Sequence, residues 1–177
     1  MKTLALISRW CAVGGAVFLV LGMLCFTAGG RFNSTRSIPI GLYWITDEPV
    51  TKEAYVIFCP PVSSLFDEAR DRGYISAGFC PGDYGFMMKR VLAAGNDCID
   101  MTGEGVRVNG QLLDASKAMK ADSAGRVMPH YSASGYTLRN REMLLMSDVS
   151  ATSFDGRYFG PVDVSQIRGV IRPVLTW

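Results

Sequence analysis

An uninterrupted apolar segment near the N-terminus is the feature that most limits how this chain can fold. Residues 10–28 (WCAVGGAVFLVLGMLCFTA) contain no charged side chain, and in the stretch from Leu4 only Arg9 interrupts the apolar pattern. A helix of about 20 apolar residues is needed to cross the hydrocarbon core of a bilayer. The segment therefore predicts one transmembrane helix, and no second segment of this kind occurs in the 177 residues.

The charges around this segment predict its orientation. Lys2 and Arg9 precede it, which favours a cytoplasmic N-terminus, although two arginines that follow weaken the bias. A cleaved signal peptide is the alternative, but the apolar core is long for one and no A-x-A cleavage site follows it. We therefore expect residues 1–30 to be a retained membrane anchor and residues 31–177 to form one exported domain.

The composition of the chain excludes two broad classes of protein. Hydrophobic residues make up 49% and charged residues 19% of the sequence, which excludes a disordered acidic or basic chain. The formal net charge is only +2, and Lys and Arg form no run longer than a pair. We therefore expect no nucleic-acid partner.

The cysteines outside the apolar segment predict one disulfide. Cys59, Cys80 and Cys98 would lie in an oxidising compartment if the predicted topology is right. Cys59 and Cys80 each stand beside a proline at the edge of a predicted element. This favours a Cys59–Cys80 bond with Cys98 free, although spacing alone does not determine the pairing.

The exported part is richer in strand patterns than in helix patterns. Short segments of β-forming residues bounded by turn residues occur at residues 41–45, 54–58, 86–92, 142–148 and 166–174. Residues 106–113 predict a hairpin that turns at Asn109-Gly110. A serine cap, early acids, late arginines and a closing glycine predict one helix over residues 63–73. Residues 113–136 are expected to be loops or a small accessory region. The pattern indicates a mostly β, antiparallel domain with short helices.

The single histidine limits the hydrolytic chemistry open to the chain. A Ser-His-Asp triad would have to use His130, which stands in a proline-containing polar segment, and no G-x-S-x-G motif occurs. A histidine-rich zinc site is excluded, and the absence of a C-x-x-C pair argues against a structural zinc site. We therefore expect neither a metal nor a cofactor.

A serine hydrolase without a histidine base can use a lysine whose ammonium group is neutral near physiological pH. Burial lowers the pKa of a lysine because it disfavours the charged form. Lys89 fits this requirement, since Met87 and Val91 would share its face of a predicted strand. It is thus the candidate general base, the alternative being a lysine that only extends along an apolar surface to reach water.

Three segments in order resemble the main motifs of the type I signal peptidases, which are membrane-anchored Ser/Lys peptidases. They are SIPIGLYW at residues 37–44, GDYGFMMKRVLAAGNDCI at residues 82–99 and LMSDVSATSFDGRYFGPV at residues 145–162. The resemblance implies the antiparallel β fold of that family, preceded by one transmembrane helix. It also implies a single-span protein of the inner membrane whose catalytic domain lies in the periplasm.

Departures from the general motifs point to one branch of the family. Only Ile38 separates Ser37 from Pro39, where general signal peptidases have two residues. The Ser-x-Pro-x-Gly-x-Tyr pattern, with Cys-Pro-Pro and a later Cys-Pro, is similar to the conjugative-transfer branch, the TraF-type peptidases of plasmid mating systems. This resemblance implies a membrane-bound pilin precursor as substrate, other mating-pore components as further partners, and either hydrolysis or cyclisation of the pilin.

The resemblance also assigns residues to roles. It implies Ser37 as nucleophile and Lys89 as general base, with the Ser37 backbone N–H and the Thr35 hydroxyl as oxyanion donors. Asp155 matches the acidic residue of the third motif, and a turn-forming Asp-Gly is its alternative. Structural support is expected from Arg157, and from Asp97 in the second motif.

Two other functions remain open from the sequence. A general signal peptidase would keep the same fold, and a non-catalytic assembly factor of the mating apparatus would not need Ser37. Tyr43 and Trp44 are residue types that favour a membrane interface, but the same residues suit a core strand.

Overall fold

The apolar segment forms one long helix at the start of the chain. The structure is a computed structural model that describes residues 2–177; Met1 and the side chains of residues 2–6, including Lys2 of the predicted topology, lie outside the described residues. Helix α1, Lys2–Thr27, is followed by Gly29 with a positive φ of 107°, a conformation that glycine adopts readily. Its exposed stretch Ile7–Thr27 is long and apolar enough to cross a membrane, a criterion that a signal sequence also meets.

The rest of the described chain consists mainly of antiparallel strands. The strands are β1 (Gly30–Asn33), β2 (Gly41–Thr46), β3 (Tyr55–Phe58), β4 (Ala77–Cys80), β5 (Met87–Ala93), β6 (Cys98–Thr102), β7 (Gly105–Val108), β8 (Gln111–Leu112), β9 (Ala133–Thr137), β10 (Glu142–Met146), β11 (Val162–Asp163) and β12 (Ile167–Thr176). Two short helices, α2 (Ser64–Asp71) and α3 (Gly156–Phe159), pack among them. The predicted mostly β antiparallel fold is therefore confirmed.

The strands form two sheets. The larger sheet has the order β1-β2-β12-β3-β5-β10-β11, and the smaller has the order β8-β7-β6-β9. Strand β5 lies between β3 and β10, so Lys89 is in the interior of the larger sheet, directly opposite Val56. Strand β1 is the edge strand beside β2, and the chain that leaves β1 carries Ser37.

The predicted elements agree with the structure in type and differ at their ends. The hairpin at Asn109-Gly110 forms as expected between β7 and β8. Helix α2 ends at Asp71, before the predicted closing glycine Gly73. Ser63 is its N-cap but makes no side-chain capping bond. The Ser63 carbonyl oxygen accepts a hydrogen bond from the Tyr84 hydroxyl. Strand β9 extends into the region expected to be loops, because its pairing with β6 supplies backbone hydrogen bonds that a local pattern does not reveal.

Three apolar clusters hold the elements together, and one supports the loop of Ser37. Ile38, Tyr43, Ile57 and Ile171 form this cluster and are all fully or almost fully buried. Burying a side chain such as that of Ile38 stabilises a fold by about 1.5–3 kcal/mol. The residue that follows Ser37 is thereby fixed to the larger sheet.

The disulfide joins the pair of cysteines expected from the sequence. Cys59 and Cys80 are bonded with their Cα atoms 5.4 Å apart, so the segment that contains α2 is closed against the end of β3. Within the described part of the chain, Cys11, Cys25 and Cys98 are free. Closing a loop of this length restricts the unfolded chain and stabilises the fold by about 3 kcal/mol.

Candidate active site

Ser37 lies in the turn between β1 and β2, where its hydroxyl contacts two groups. Its Oγ is 3.2 Å from the Met88 carbonyl oxygen, to which it donates, and 2.9 Å from the Thr35 Oγ1. Because Met88 directly precedes Lys89 in β5, the first of these bonds holds the Ser37 turn against the strand that carries the lysine. The backbone N–H of Ser37 has no hydrogen-bond acceptor within residues 2–177, so it is free to bind an oxyanion.

Lys89 occupies an environment that favours its neutral form. The side chain is 4% exposed, and its Nζ donates to the Ser153 Oγ at 2.7 Å. Burial lowers the pKa of Lys89 from 10.5 to about 8; the Asp155 carboxylate opposes this effect and the Arg157 guanidinium adds to it. A lysine with such a pKa is partly neutral near physiological pH and can accept a proton.

Ser37 and Lys89 line the same two cavities. The first has a volume of about 440 Å³ and apolar walls that include Ile75, Phe86 and Met87. The second, of about 200 Å³, is lined largely by hydroxyl side chains, namely those of Thr35, Ser37, Tyr74, Ser150, Thr152 and Ser153. The structure therefore brings the two residues to the same cavities, although the hydrogen bond of Lys89 goes to Ser153.

Asp155 lies behind Lys89 and is bonded to Arg157. Both side chains are fully buried, and the guanidinium donates to the two carboxylate oxygens from Nε at 2.8 Å and from Nη2 at 2.7 Å. Asp155 also accepts from the Ser147 backbone N–H at 3.0 Å and is the N-cap of α3. Arg157 donates further to the carbonyl of Ser153, so the pair fixes the loop that presents the Ser153 hydroxyl.

Asp97 lines neither of the two cavities and organises a different loop. Its carboxylate accepts from the Ala94 backbone N–H at 3.0 Å and from the Asn109 Nδ2 at 2.6 Å, and it pairs with Lys52 at 3.1 Å. These contacts join the end of β5 to the hairpin of β7 and β8. Such a set of contacts is suited to a structural role.

The aromatic residues after Ser37 divide between core and surface. Tyr43 is fully buried, and its hydroxyl donates to the Pro39 carbonyl at 2.6 Å, whereas Trp44 is 37% exposed. Tyr43 therefore belongs to a core strand. His130 is exposed and lines neither of the two cavities.

Two residues at the site were not identified from the sequence. Ser153 stands within the third motif, but its contact with Lys89 joins positions 64 residues apart. Asn33 stands four residues before Ser37 in the sequence. Its side chain forms hydrogen bonds with Thr35 and with the backbone carbonyl of Ile38. The tendency of asparagine to bond to nearby backbone in turns was the only signal for it. No cluster of metal-ligating side chains occurs among the described residues.

Comparisons with known proteins identify the family of the chain. Residues 5–177 match the family described as "Signal peptidase, peptidase S26". The chain is 57% identical over 176 residues to a plasmid transfer protein TraF of Escherichia coli, which covers 99% of both chains. It is 36% identical over 167 residues to a conjugal transfer protein TraF of Agrobacterium tumefaciens, which covers 93% of both.

A comparison with solved structures also finds a signal peptidase. A signal peptidase I of Enterococcus faecalis covers 72% of this chain and 100% of its own, with a TM-score of 0.43 and 15% identity. The family match spans almost the whole chain, and the relatives from transfer systems confirm the branch inferred from the motifs. The chain therefore belongs to the peptidase S26 family of signal peptidases, among the relatives named for plasmid and conjugal transfer.

Proposed function

We propose that this chain is a membrane-anchored serine endopeptidase that processes a conjugative pilin precursor, with Ser37 as nucleophile and Lys89 as general base. The observation that carries the proposal is the fully buried Lys89, whose pKa is lowered to about 8 and which lines the same cavities as Ser37. A lysine in an apolar strand is costly to bury, and a structural role does not require one. The names of the relatives point to conjugation as the process.

The proposed reaction begins with attack of Ser37 on the scissile carbonyl carbon. The Ser37 Oγ forms a bond to this carbon while neutral Lys89 takes the hydroxyl proton. The resulting oxyanion is stabilised by the Ser37 backbone N–H, with the Thr35 hydroxyl as the second candidate donor. The carbon–nitrogen bond then breaks, the leaving amine takes the proton from Lys89, and an ester joins the substrate to Ser37.

The fate of the ester determines the product. If water attacks, it gives a proton to Lys89, and the product leaves as a carboxylic acid. If the neutral amino terminus of the same pilin attacks, it gives a proton to Lys89, the ester is replaced by a peptide bond and the pilin becomes a ring. In both cases Ser37 regains its proton from Lys89.

Asp155 and Arg157 support this reaction without contact to the substrate. Their bonds hold the loop of Ser153, and the Ser153 hydroxyl accepts from the Lys89 Nζ and so directs it. Asp155 thereby acts on the lysine rather than as a separate proton carrier. Asp97 stabilises the loop after β5.

The N-terminal helix supports the proposed location. We infer that residues 1–30 anchor the enzyme in the inner membrane and that residues 31–177 form its periplasmic peptidase domain. A pilin precursor in the same bilayer would then meet the enzyme at a high effective concentration. The exposed apolar helix Ile7–Thr27 is long enough to span the bilayer, which is consistent with such an anchor.

The test is the intact mass of a membrane-bound pilin precursor after incubation with the full chain in proteoliposomes. Ser37→Ala should abolish processing, and Ser34→Ala is the matched control, because Ser34 is an exposed serine of the same turn that lines only the larger cavity. A product at the hydrolysed mass indicates peptidase activity, and one lighter by a water indicates cyclisation. Equal processing by Ser37→Ala would refute the mechanism and favour the assembly factor.

The general signal peptidase is the second candidate, and it needs a separate assay. Growth of a strain depleted of its own signal peptidase should not be restored by this chain if the pilin precursor is the substrate. Restored growth would indicate removal of ordinary export signal peptides.

A further inference from the structure

Asn33 is a buried amide next to Ser37 that the proposed mechanism does not use. Its side chain is the last of β1 and is 4% exposed. The Nδ2 lies 2.7 Å from the Thr35 carbonyl oxygen, 3.0 Å from that of Ile38 and 3.1 Å from that of Pro39. The Oδ1 lies 3.2 Å from the Thr35 backbone nitrogen and 2.9 Å from the Thr35 Oγ1. One amide therefore bonds to both sides of the turn that presents Ser37.

These contacts determine which end of the amide is which. Carbonyl oxygens only accept hydrogen bonds, so the atom that faces three of them must be the nitrogen. The other end faces a backbone N–H, which only donates, so it must be the oxygen. The orientation of the Asn33 amide follows from its partners alone.

The orientation of Asn33 fixes the proton of the neighbouring hydroxyl. A threonine hydroxyl has one proton to donate, and the Asn33 Oδ1 can only accept. The contact of 2.9 Å between them is therefore a bond donated by Thr35. In its contact with Ser37, also at 2.9 Å, the Thr35 oxygen must then be the acceptor. Ser37 has one hydroxyl proton, so it shares that proton between the Thr35 Oγ1 and the Met88 carbonyl oxygen.

We propose that Asn33 is a positioning residue that orients the Ser37 nucleophile through the Thr35 hydroxyl and through the backbone of the turn. Its Nδ2 closes the turn between Thr35 and Pro39, and its Oδ1 accepts the hydrogen bond of the Thr35 hydroxyl. Thr35 therefore accepts a hydrogen bond from Ser37, whose single proton it shares with the Met88 carbonyl oxygen. Before substrate binds, Thr35 is thus an acceptor for the nucleophile. It donates to an oxyanion only if it first gives up its bond to Asn33. This inference rests on the proposed role of Ser37.

A purely structural role is the alternative, and the chain provides a matched control for it. Asn109 also bonds with both ends of its amide, since it accepts from the Cys98 backbone N–H at 2.9 Å and donates to Asp97 at 2.6 Å. These bonds connect its hairpin turn to the start of β6. It lies in the hairpin of β7 and β8, away from both cavities. Asn109→Ala should therefore lower the stability of the fold while kcat of the folded enzyme stays unchanged.

The experiment measures kcat, KM and the pH dependence of the full chain in proteoliposomes for Asn33→Ala and Asn109→Ala. Asn33→Ala should lower kcat at least tenfold with KM within about twofold, because a small displacement of a nucleophile can cost up to about a hundredfold in rate. The midpoint of the pH profile should not move, since Asn33 does not contact Lys89. Wild-type kcat in the folded fraction of Asn33→Ala would overturn the proposal.

A double-mutant cycle tests the path through Thr35. If Asn33 acts partly through that hydroxyl, Asn33→Ala should lower kcat by a smaller factor in a Thr35→Val background than in the wild type. The two factors should differ by about threefold or more. Equal losses in both backgrounds would overturn the path through Thr35. Thr35→Ser keeps both bonds of the hydroxyl and should restore most of the activity lost in Thr35→Val, while an inactive Thr35→Ser would contradict the proposal.

Two controls keep the outcomes separate. Should Asn33→Ala fail to fold, Asn33→Asp retains the acceptor end and replaces the donor end with a carboxylate oxygen that the three carbonyl oxygens repel. A loss of kcat at least as large as that of Asn33→Ala is expected of it. Ser37→Ala is measured in the same assay. Activity of Ser37→Ala would refute the proposed function itself, whereas an inactive Ser37→Ala together with a fully active Asn33→Ala would refute only the role of Asn33.

Discussion

Replacing Lys89 with methionine should abolish catalysis and make the folded chain more stable at neutral pH. The Lys89 side chain is 4% exposed, and burial lowers its pKa from 10.5 to about 8. At about 1.4 kcal/mol per pKa unit, holding the protonated lysine in the fold at pH 7 costs about 3 kcal/mol. Methionine is of similar length and fits the same apolar surroundings. Loss of the hydrogen bond to Ser153 costs about 1 kcal/mol of this gain. We therefore expect the free energy of unfolding of Lys89→Met to exceed that of the wild type by about 2 kcal/mol at pH 7.

The pH dependence of this gain identifies its cause. The pKa of Lys89 is lower in the folded chain than in the unfolded chain, so between about 8 and 10.5 the unfolded state binds more protons. The stability of the wild type therefore rises with pH through this window. The advantage of Lys89→Met should be complete below pH 8 and should shrink towards pH 10.5.

Urea unfolding of the full chain in detergent micelles, followed by tryptophan fluorescence with the disulfide intact, measures the effect. Lys117→Met is the control, because Lys117 is exposed and the same chemical change there should produce no gain that depends on pH. A less stable Lys89→Met at pH 7 would refute the reasoning. So would a gain of the same size at pH 7 and pH 10.

Three further predictions concern the base, its support and the disulfide. The kcat/KM of the wild type should rise about tenfold per pH unit below the pKa of about 8 of Lys89 and level off above it; a flat profile between pH 6 and 8 would contradict a lysine base. Arg157→Ala should destabilise the fold by about 3–5 kcal/mol in urea unfolding, since it leaves the buried Asp155 unpaired; a loss below about 1 kcal/mol would mean that the pair is not buried. Replacing both Cys59 and Cys80 with serine should lower the free energy of unfolding by about 2–4 kcal/mol, and an unchanged urea midpoint would contradict the disulfide.

Local patterns were sufficient to predict much of the fold and the burial of Lys89, whereas Ser37 was assigned through the resemblance to the signal peptidases. The alternation of apolar residues around Lys89 predicted a buried face, and β5 has that burial pattern. The apolar run predicted α1, and Asn109-Gly110 predicted a hairpin turn. In each case the structure is determined by residues that are close together in the sequence, so a local sequence pattern can predict it.

The parts that were not predicted depend on contacts between distant segments. The partner of Lys89 is Ser153, and no local pattern relates residues so far apart. Strand β9 has a weak apolar pattern and is stabilised by pairing with β6. Asn33 is close to Ser37 in sequence, but its importance depends on the burial of its amide, which follows from the packing of the turn on the larger sheet. Tertiary context determined each of these features.

The Asp155–Arg157 ion pair affects how readily the nearby Lys89 loses its proton. An unpaired carboxylate at Asp155 would favour the protonated lysine, because opposite charges stabilise each other. Arg157 bonds to both oxygens of that carboxylate, so the two charges act on Lys89 in opposite directions, and burial is the largest cause of its lowered pKa. The same guanidinium donates to the Ser153 carbonyl and so holds the hydroxyl that accepts from Lys89. The buried pair therefore orients the lysine through Ser153, and its guanidinium offsets part of the effect of the carboxylate on the pKa of Lys89.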